Sequence, residues 1–379
     1  MKPALDLAKA NFRGLKPCVH GADVLEAAGK TGRTREEILD FSSSVNPLGP
    51  SEKALQAVTA GFGMIPSYPD SCSNALRDAL ASHYAGVGRD NIIVSNGSTE
   101  LIYLFAEAFM NKGDVALVPA PSFGEYDSAV KKTGERVKYV KLTSRFEADP
   151  ARFTRAMTGK TKIVYFCNPN NPTSILTPPD QLAEIIQQAL DRDILVFLDE
   201  DFLEFVDDGE GLSMINRINE FANLFVLRSF TKIYGLTGLR IGYGIASKEI
   251  INVLMNAKLP WNVNCLGQAA AVAALNDAAH LQKTLALIKA EKAFLLKALK
   301  RVKGLKIYPA DANFLFMNIQ KTGFTAAQLK EKMLTQGVLI RDCTSFAGLD
   351  EHFVRVAVKT HPENERLVAA LKVSLEKQV

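Results

Sequence analysis

Lys232 sits inside the stretch Leu227 to Gly244, LRSFTKIYGLTGLRIGYG, which reads as an apolar strand, a polar turn and a glycine-punctuated return strand. Ser229 and Thr231 precede the lysine, and Arg240 follows it. A lysine amine forms an imine with an aldehyde. Hydroxyls donate hydrogen bonds and a guanidinium presents a planar fork, so Ser229, Thr231 and Arg240 together suit an anion. An imine-forming lysine set against a phosphate cradle is what pyridoxal phosphate requires. A plain surface turn has the same composition, so the decision rests on the rest of the chain.

Other residues able to do chemistry fall at the ends of apolar runs. IIVSNGSTE (92–100) places Ser98 and Thr99 at a helix start, where free N–H groups and the helix dipole favour a phosphate. An ordinary capping box with Glu100 is the competing reading. Phe123, in VPAPSFGEY (118–126), is placed to stack on a flat ring or to pack as a core aromatic. Asn171 lies in CNPNNPTS (167–174), a shaped loop with an amide to donate. The run ILVFL (194–198) ends in Asp199-Glu200-Asp201. A carboxylate there can hold a pyridine nitrogen protonated, and a solvated acidic loop is the alternative. Arg341 in VLIRDC and Arg355 in FVRVAV emerge from apolar strands, where an unpaired guanidinium is costly. Each needs an anion, either an internal acid or a carboxylate or phosphate of the substrate.

The elements that must position these residues alternate from residue 91 onward. Apolar strands near 91–95, 114–118, 136–141, 161–166, 194–199 and 224–228 are separated by helical stretches. Near-continuous apolar strands predict a sheet buried on both faces, and the alternation predicts an α/β fold with a largely parallel sheet. Sites in such folds lie at the carboxyl ends of the strands. Before residue 50 the chain is expected to be irregular apart from a helical turn or two over Val24 to Ala28, and carries HGAD (20–23) and FSSSVNPLGP (41–50). Helices are expected near 51–60, 73–84, 247–257, 264–277 and 279–302. A smaller α/β unit follows, with strands near 305–308, 313–319, 338–341 and 353–358 and helices near 324–335 and 362–376.

Composition narrows the function. With 47% hydrophobic and 23% charged residues in 379, the chain suits a soluble globular protein of two domains. A net charge of +4 and no basic block argue against nucleic-acid binding. No apolar run is long enough to span a membrane, and MKPALDLAKANFRG lacks a signal peptide's apolar stretch. Five scattered cysteines with no C-x-x-C, and no H-E-x-x-H, predict a cytoplasmic protein with free thiols and no metal site.

Taken in order, NGSTE, NPNNPTS, LDED and SFTKIYGLTGLR resemble the class I and II aminotransferase family of pyridoxal-phosphate enzymes, over nearly the whole chain. The resemblance implies the fold-type I transferase architecture, an α/β large domain around a mostly parallel seven-stranded sheet plus a smaller α/β domain. It implies an N-terminal arm over 1–50, a cofactor domain over 51–265 and a small domain over 266–379. Within the family, HGADV, DFSSSVNPLGP, LIRDCTSFAGLD and FVRVAVKT resemble the threonine-phosphate decarboxylase branch most, then the histidinol-phosphate aminotransferases. A small phosphorylated amino acid or amine is the implied substrate. Decarboxylation is the first expectation, transamination the alternative, and a catalytically silent binding protein a remote third.

Carried onto this chain, the resemblance makes Lys232 the imine-forming and proton-moving residue. Asp199 would pair with the pyridine nitrogen, Asn171 would bond the ring oxygen and Phe123 would stack on the ring. Ser98, Thr99, Ser229, Thr231 and Arg240 would hold the phosphate. Tyr68 would reach the partner subunit's cofactor in a homodimer. Arg341 and Arg355 would bind the substrate's anionic ends, with His20 and Asn46 closing over it. Two positions depart from the pattern: Phe202 stands where transaminating relatives carry a tyrosine, and Ala22 where a second glycine is usual after His-Gly.

Overall fold

A computed structural model describes residues 3–376; residues 1–2 and 377–379, at the outer ends of the expected arm and small domain, lie outside the described part. Seven strands form the main sheet: β1 (Ile92–Ser95), β2 (Val115–Ala120), β3 (Arg136–Lys141), β4 (Thr161–Cys167), β5 (Leu195–Asp199), β6 (Leu224–Ser229) and β7 (Gly242–Ala246). Their order is β1-β7-β6-β5-β4-β2-β3. All neighbours run parallel except β7, which is antiparallel to both β1 and β6.

Side chains alternate along these strands between two separate cores. Val164, Phe166, Val196, Leu198 and Val226 enter one core, while Ile163, Tyr165, Phe197, Phe225 and Leu227 enter the other. Burial on both faces is why the inner strands are largely apolar, as expected of a parallel sheet covered by helices, whereas the edge strand β3, RVKYVK, is mostly exposed. Ser51 caps the helix Glu52–Ala60 by accepting from the Ala54 N–H at 3.2 Å, as the sequence predicts.

A second, antiparallel sheet contains β8 (Lys306–Ile307), β9 (Phe314–Asn318), β10 (Arg341–Asp342) and β11 (Phe353–Ala357), in the order β10-β11-β9-β8. The single strand expected over 338–341 is instead two. Val338–Leu339 pairs in parallel with Leu39–Asp40, and the chain then switches to β11. A continuous apolar run, VLI, concealed that switch. In the first 50 residues the helical turn or two expected from Val24 is the helix Val24–Thr31. Among the described residues, no helix is long and apolar enough to cross a membrane.

Candidate active site

The carboxyl ends of β4, β5 and β6 open on one cavity of about 360 Å³. It is lined by His20, Ser98, Thr99, Phe123, Asn171, Asp199, Thr231, Lys232, Arg240 and Arg355, ten of the residues singled out in the sequence. Lys232 follows β6 directly. Its carbonyl accepts the Asn46 N–H at 2.9 Å, which fixes the turn. Burial pulls the Lys232 amine below its ordinary value, with Asp201 and Asp199 raising it and Arg355 and Arg240 lowering it. A larger neutral fraction makes the amine a better nucleophile toward an aldehyde.

Asp199 ends β5 and is almost wholly buried. Its Oδ2 accepts from the Tyr126 hydroxyl at 2.6 Å and its Oδ1 from the Asp201 N–H at 3.0 Å. Burial pushes the Asp199 carboxyl up, and Asp201 adds to that, while Tyr126 opposes it. A protonated pyridine nitrogen beside it would return the carboxylate to its charged form. Successive residues point opposite ways, so Asp201 also lines the cavity, whereas Glu200 turns to the fully buried Arg228 at 3.0 Å. Phe202 lies against the cavity with the Lys232 Nζ 5.4 Å from its ring centre.

Opposite Lys232, β1 leads through Gly97 (φ +78°) into the helix Ser98–Phe109. A Cβ on Gly97 would collide with the Arg240 guanidinium, and one on Gly242 would come within 2.5 Å of the Ser98 nitrogen. The glycines therefore let Arg240 and the helix N-terminus converge on one volume. The Thr231 hydroxyl is buried with no partner there. An unpartnered hydroxyl, an arginine and a helix N-terminus around one space fit a phosphate, and a lysine and a carboxylate at the far side fit a pyridine aldehyde.

Arg355 is buried and has no carboxylate partner among the described residues. It donates to the Asn171 Oδ1, and to the Ser42 carbonyl at 2.8 Å, while its Nε has no partner. Burial brings it down to about 10. With its oxygen occupied, Asn171 is left with its amide N–H groups to offer a ligand. Arg341 stands directly opposite Arg355 in the β10–β11 register. Two cations side by side on one face repel, which favours an anion between them.

Three assigned residues are placed differently from expectation, while Tyr68 stands outside its own chain's cavity, as a residue of the partner's site would. Asn46 is turned away from the cavity: its Nδ2 donates to the Ile233 carbonyl at 2.8 Å and the Thr284 hydroxyl at 2.9 Å, so it braces the lysine loop. Ser229 is buried behind the cavity wall, its hydroxyl accepting the Thr231 N–H at 3.1 Å. Arg341 lines a small adjoining cavity and donates to the Val19 and His20 carbonyls at 2.7 and 2.5 Å. It holds the arm. Tyr68 is 79% exposed and stacks on Trp261 at 4.6 Å, outside its own chain's cavity. Conversely, Tyr126 went unmarked in the sequence, and Asp201 was named only as one of the three acids after ILVFL. Their only signals are the three-residue step from Phe123 to Tyr126 and the two-residue step from Asp199 to Asp201.

Residues 36–371 match the model of the family described as aminotransferase class I and II. A histidinol-phosphate aminotransferase from Methanosphaera stadtmanae is 34% identical over 97% of this chain and 99% of its own. The crystal structure of the histidinol-phosphate aminotransferase from Clostridium acetobutylicum superposes with a TM-score of 0.83 at 28% identity, covering 89% of this chain and 99% of that one. L-threonine-O-3-phosphate decarboxylase from Porphyromonas gingivalis does so with a TM-score of 0.79 at 29% identity, covering 90% and 100%. The chain belongs to the class I and II aminotransferases, a family of pyridoxal-phosphate enzymes built on the fold-type I architecture.

Proposed function

We propose that this chain transfers the amino group of histidinol phosphate, or a close phosphorylated amine, to a 2-oxo acid. One observation carries the reading: a relative 34% identical along essentially its whole length is a histidinol-phosphate aminotransferase. It supports the alternative reading better than decarboxylation, the first expectation from sequence. The bound cofactor would supply an aldehyde and an electron-withdrawing ring. Lys232 would anchor it and move the proton at the substrate carbon bearing the amine. Asp199, held by Tyr126, would keep the ring nitrogen protonated, Phe123 would stack on the ring and Asn171 would bond its oxygen. Ser98, Thr99, Thr231 and Arg240 would bind its phosphate, with Ser229 shaping that turn from behind. Arg355, with its Nε unpartnered, suits the carboxylate of the amino-group acceptor. His20, and Arg341 through the arm it pins, would close on the substrate's phosphate.

The division into arm, cofactor domain and small domain belongs to this proposal, as does a homodimer in which Tyr68 completes the partner subunit's site. The dimer reading is supported by an exposed apolar face bearing Phe62, Ile65, Tyr68, Leu259 and Trp261.

Decarboxylation of threonine phosphate is retained as the second reading because Phe202 removes a hydroxyl from the ring-oxygen side and because of the likeness to the Porphyromonas enzyme. Incubating the enzyme with histidinol phosphate and 2-oxoglutarate, and separately with threonine phosphate alone, tests the two. Glutamate formed in the first mixture is the expected result. Carbon dioxide from the second, with no glutamate in the first, would replace the proposal with the decarboxylase.

A further inference from the structure

We propose that Cys18, His20 and Glu125 form a zinc site on the rim of the cavity, and that an ion held there fixes the N-terminal arm in place. The thiol, imidazole and carboxylate donor atoms of these three residues all lie within 4.8 Å of one another. Cysteine, histidine and glutamate are zinc's preferred donors, and two anionic ligands neutralise the ion. A tetrahedral ion needs such donors about 3.3–3.6 Å apart, so small side-chain adjustments close the site.

The site is built from several sides. Cys18 and His20 are two residues apart in an irregular segment that brings both side chains to Glu125. Arg341 pins that segment through the Val19 and His20 carbonyls. Gly124 makes room for the thiol, since a Cβ there would lie 2.7 Å from the Cys18 sulfur. Glu125 is buried at the start of the helix Glu125–Thr133, one oxygen 2.6 Å from the His20 Nε2 and the other accepting from the Tyr103 hydroxyl. Tyr103 thus orients the carboxylate as an outer-shell partner orients a metal ligand. Three protein ligands leave a fourth position for water. The absence of C-x-x-C and H-E-x-x-H hid this trio, because Glu125 lies 105 residues from His20.

Zinc binding would displace the thiol proton to solvent and take His20 from the substrate, so the ion would inhibit. That consequence rests on the proposed function; the binding itself does not. The test uses chelator-treated holoenzyme without substrate, titrated with zinc by calorimetry, and X-ray absorption of the zinc-loaded protein. One zinc per chain with a single sulfur ligand is expected. Cys18→Ser and Glu125→Gln should each weaken binding by more than the ~10–100-fold that loss of an outer-shell partner costs, and Tyr103→Phe by about that amount. Cys72→Ser should change nothing. In turnover, Cys18→Ser should match the parent without zinc and resist its inhibition. No retained zinc, a sulfur-free shell or unchanged affinity in Cys18→Ser would overturn the site. Inactivity toward every substrate would instead count against the reaction proposed above.

Discussion

A buried carboxylate next to a second one tends to take up a proton, and Tyr126 counters that at Asp199 by donating from 2.6 Å. Tyr126 also packs edge-on against Phe123 at 5.6 Å, so in the proposed site one residue would set both the cofactor ring's charge partner and its stacking partner. Asp199→Asn is expected to lower kcat by ~10³-fold or more, because the charge that stabilises the developing carbanion is gone. Tyr126→Phe should lower it by ~10-fold, the cost of one hydrogen bond to a charged group. Cofactor retention, followed by absorbance, should suffer less than kcat in both. Equal losses of Asp199→Asn and Tyr126→Phe would show that Tyr126 does more than orient. Lys232, Asp199 and Arg240 were legible in the sequence because each needs a specific neighbour type close along the chain. Asn46 was misassigned because its buried partners, Ile233 and Thr284, are distant in sequence.

At the scale of elements, β5 and β6 are bound by charge as well as by their ladder. Arg228, fully buried on β6, meets Glu200 at 3.0 Å and Glu210 at 2.9 Å. Removing one partner of a buried pair strands the other, so Arg228→Met should cost about 3–5 kcal/mol in chemical denaturation. A loss below 1 kcal/mol would mean that water reaches Glu200. Glu204, just beyond β5, is pushed up to about 8 by burial against the pull of Arg228. The folded protein therefore holds a proton that the unfolded chain releases near 4.5, and stability should fall as pH rises from about 4.5 to about 8. Glu204→Gln should flatten that slope, read from melting temperatures across the window; an unchanged slope would assign it to another group. The inner strands β4 and β5 were legible because burial on two faces leaves nearly unbroken apolar runs, whereas the edge strand β3, RVKYVK, is mostly exposed and β7 showed only as a glycine-punctuated return. The network behind them was not legible, because a lone arginine in LRSF carries no sign of its partners.

For the whole molecule, one chain lines the cavity with Lys232, Asp199, Thr231 and Arg240, while the exposed Tyr68 is outside that lining. If the partner's Tyr68 completes each site, mixing Lys232→Ala with Tyr68→Ala chains should restore one working site of the two in each mixed dimer. Additive inactivity would place each site within one chain. Overall architecture was legible from the order of four motifs. The choice between reactions was not, since it would turn on which substrate bond the side chains around Lys232 align for cleavage, which residue types alone do not set. Incubation of histidinol phosphate with the enzyme in deuterium oxide, without any oxo acid, tests that choice directly. Deuterium should appear at the carbon bearing the amine with the parent enzyme and fail to appear with Lys232→Ala. Retention of hydrogen there by the parent, with loss of carbon dioxide from threonine phosphate, would contradict the account.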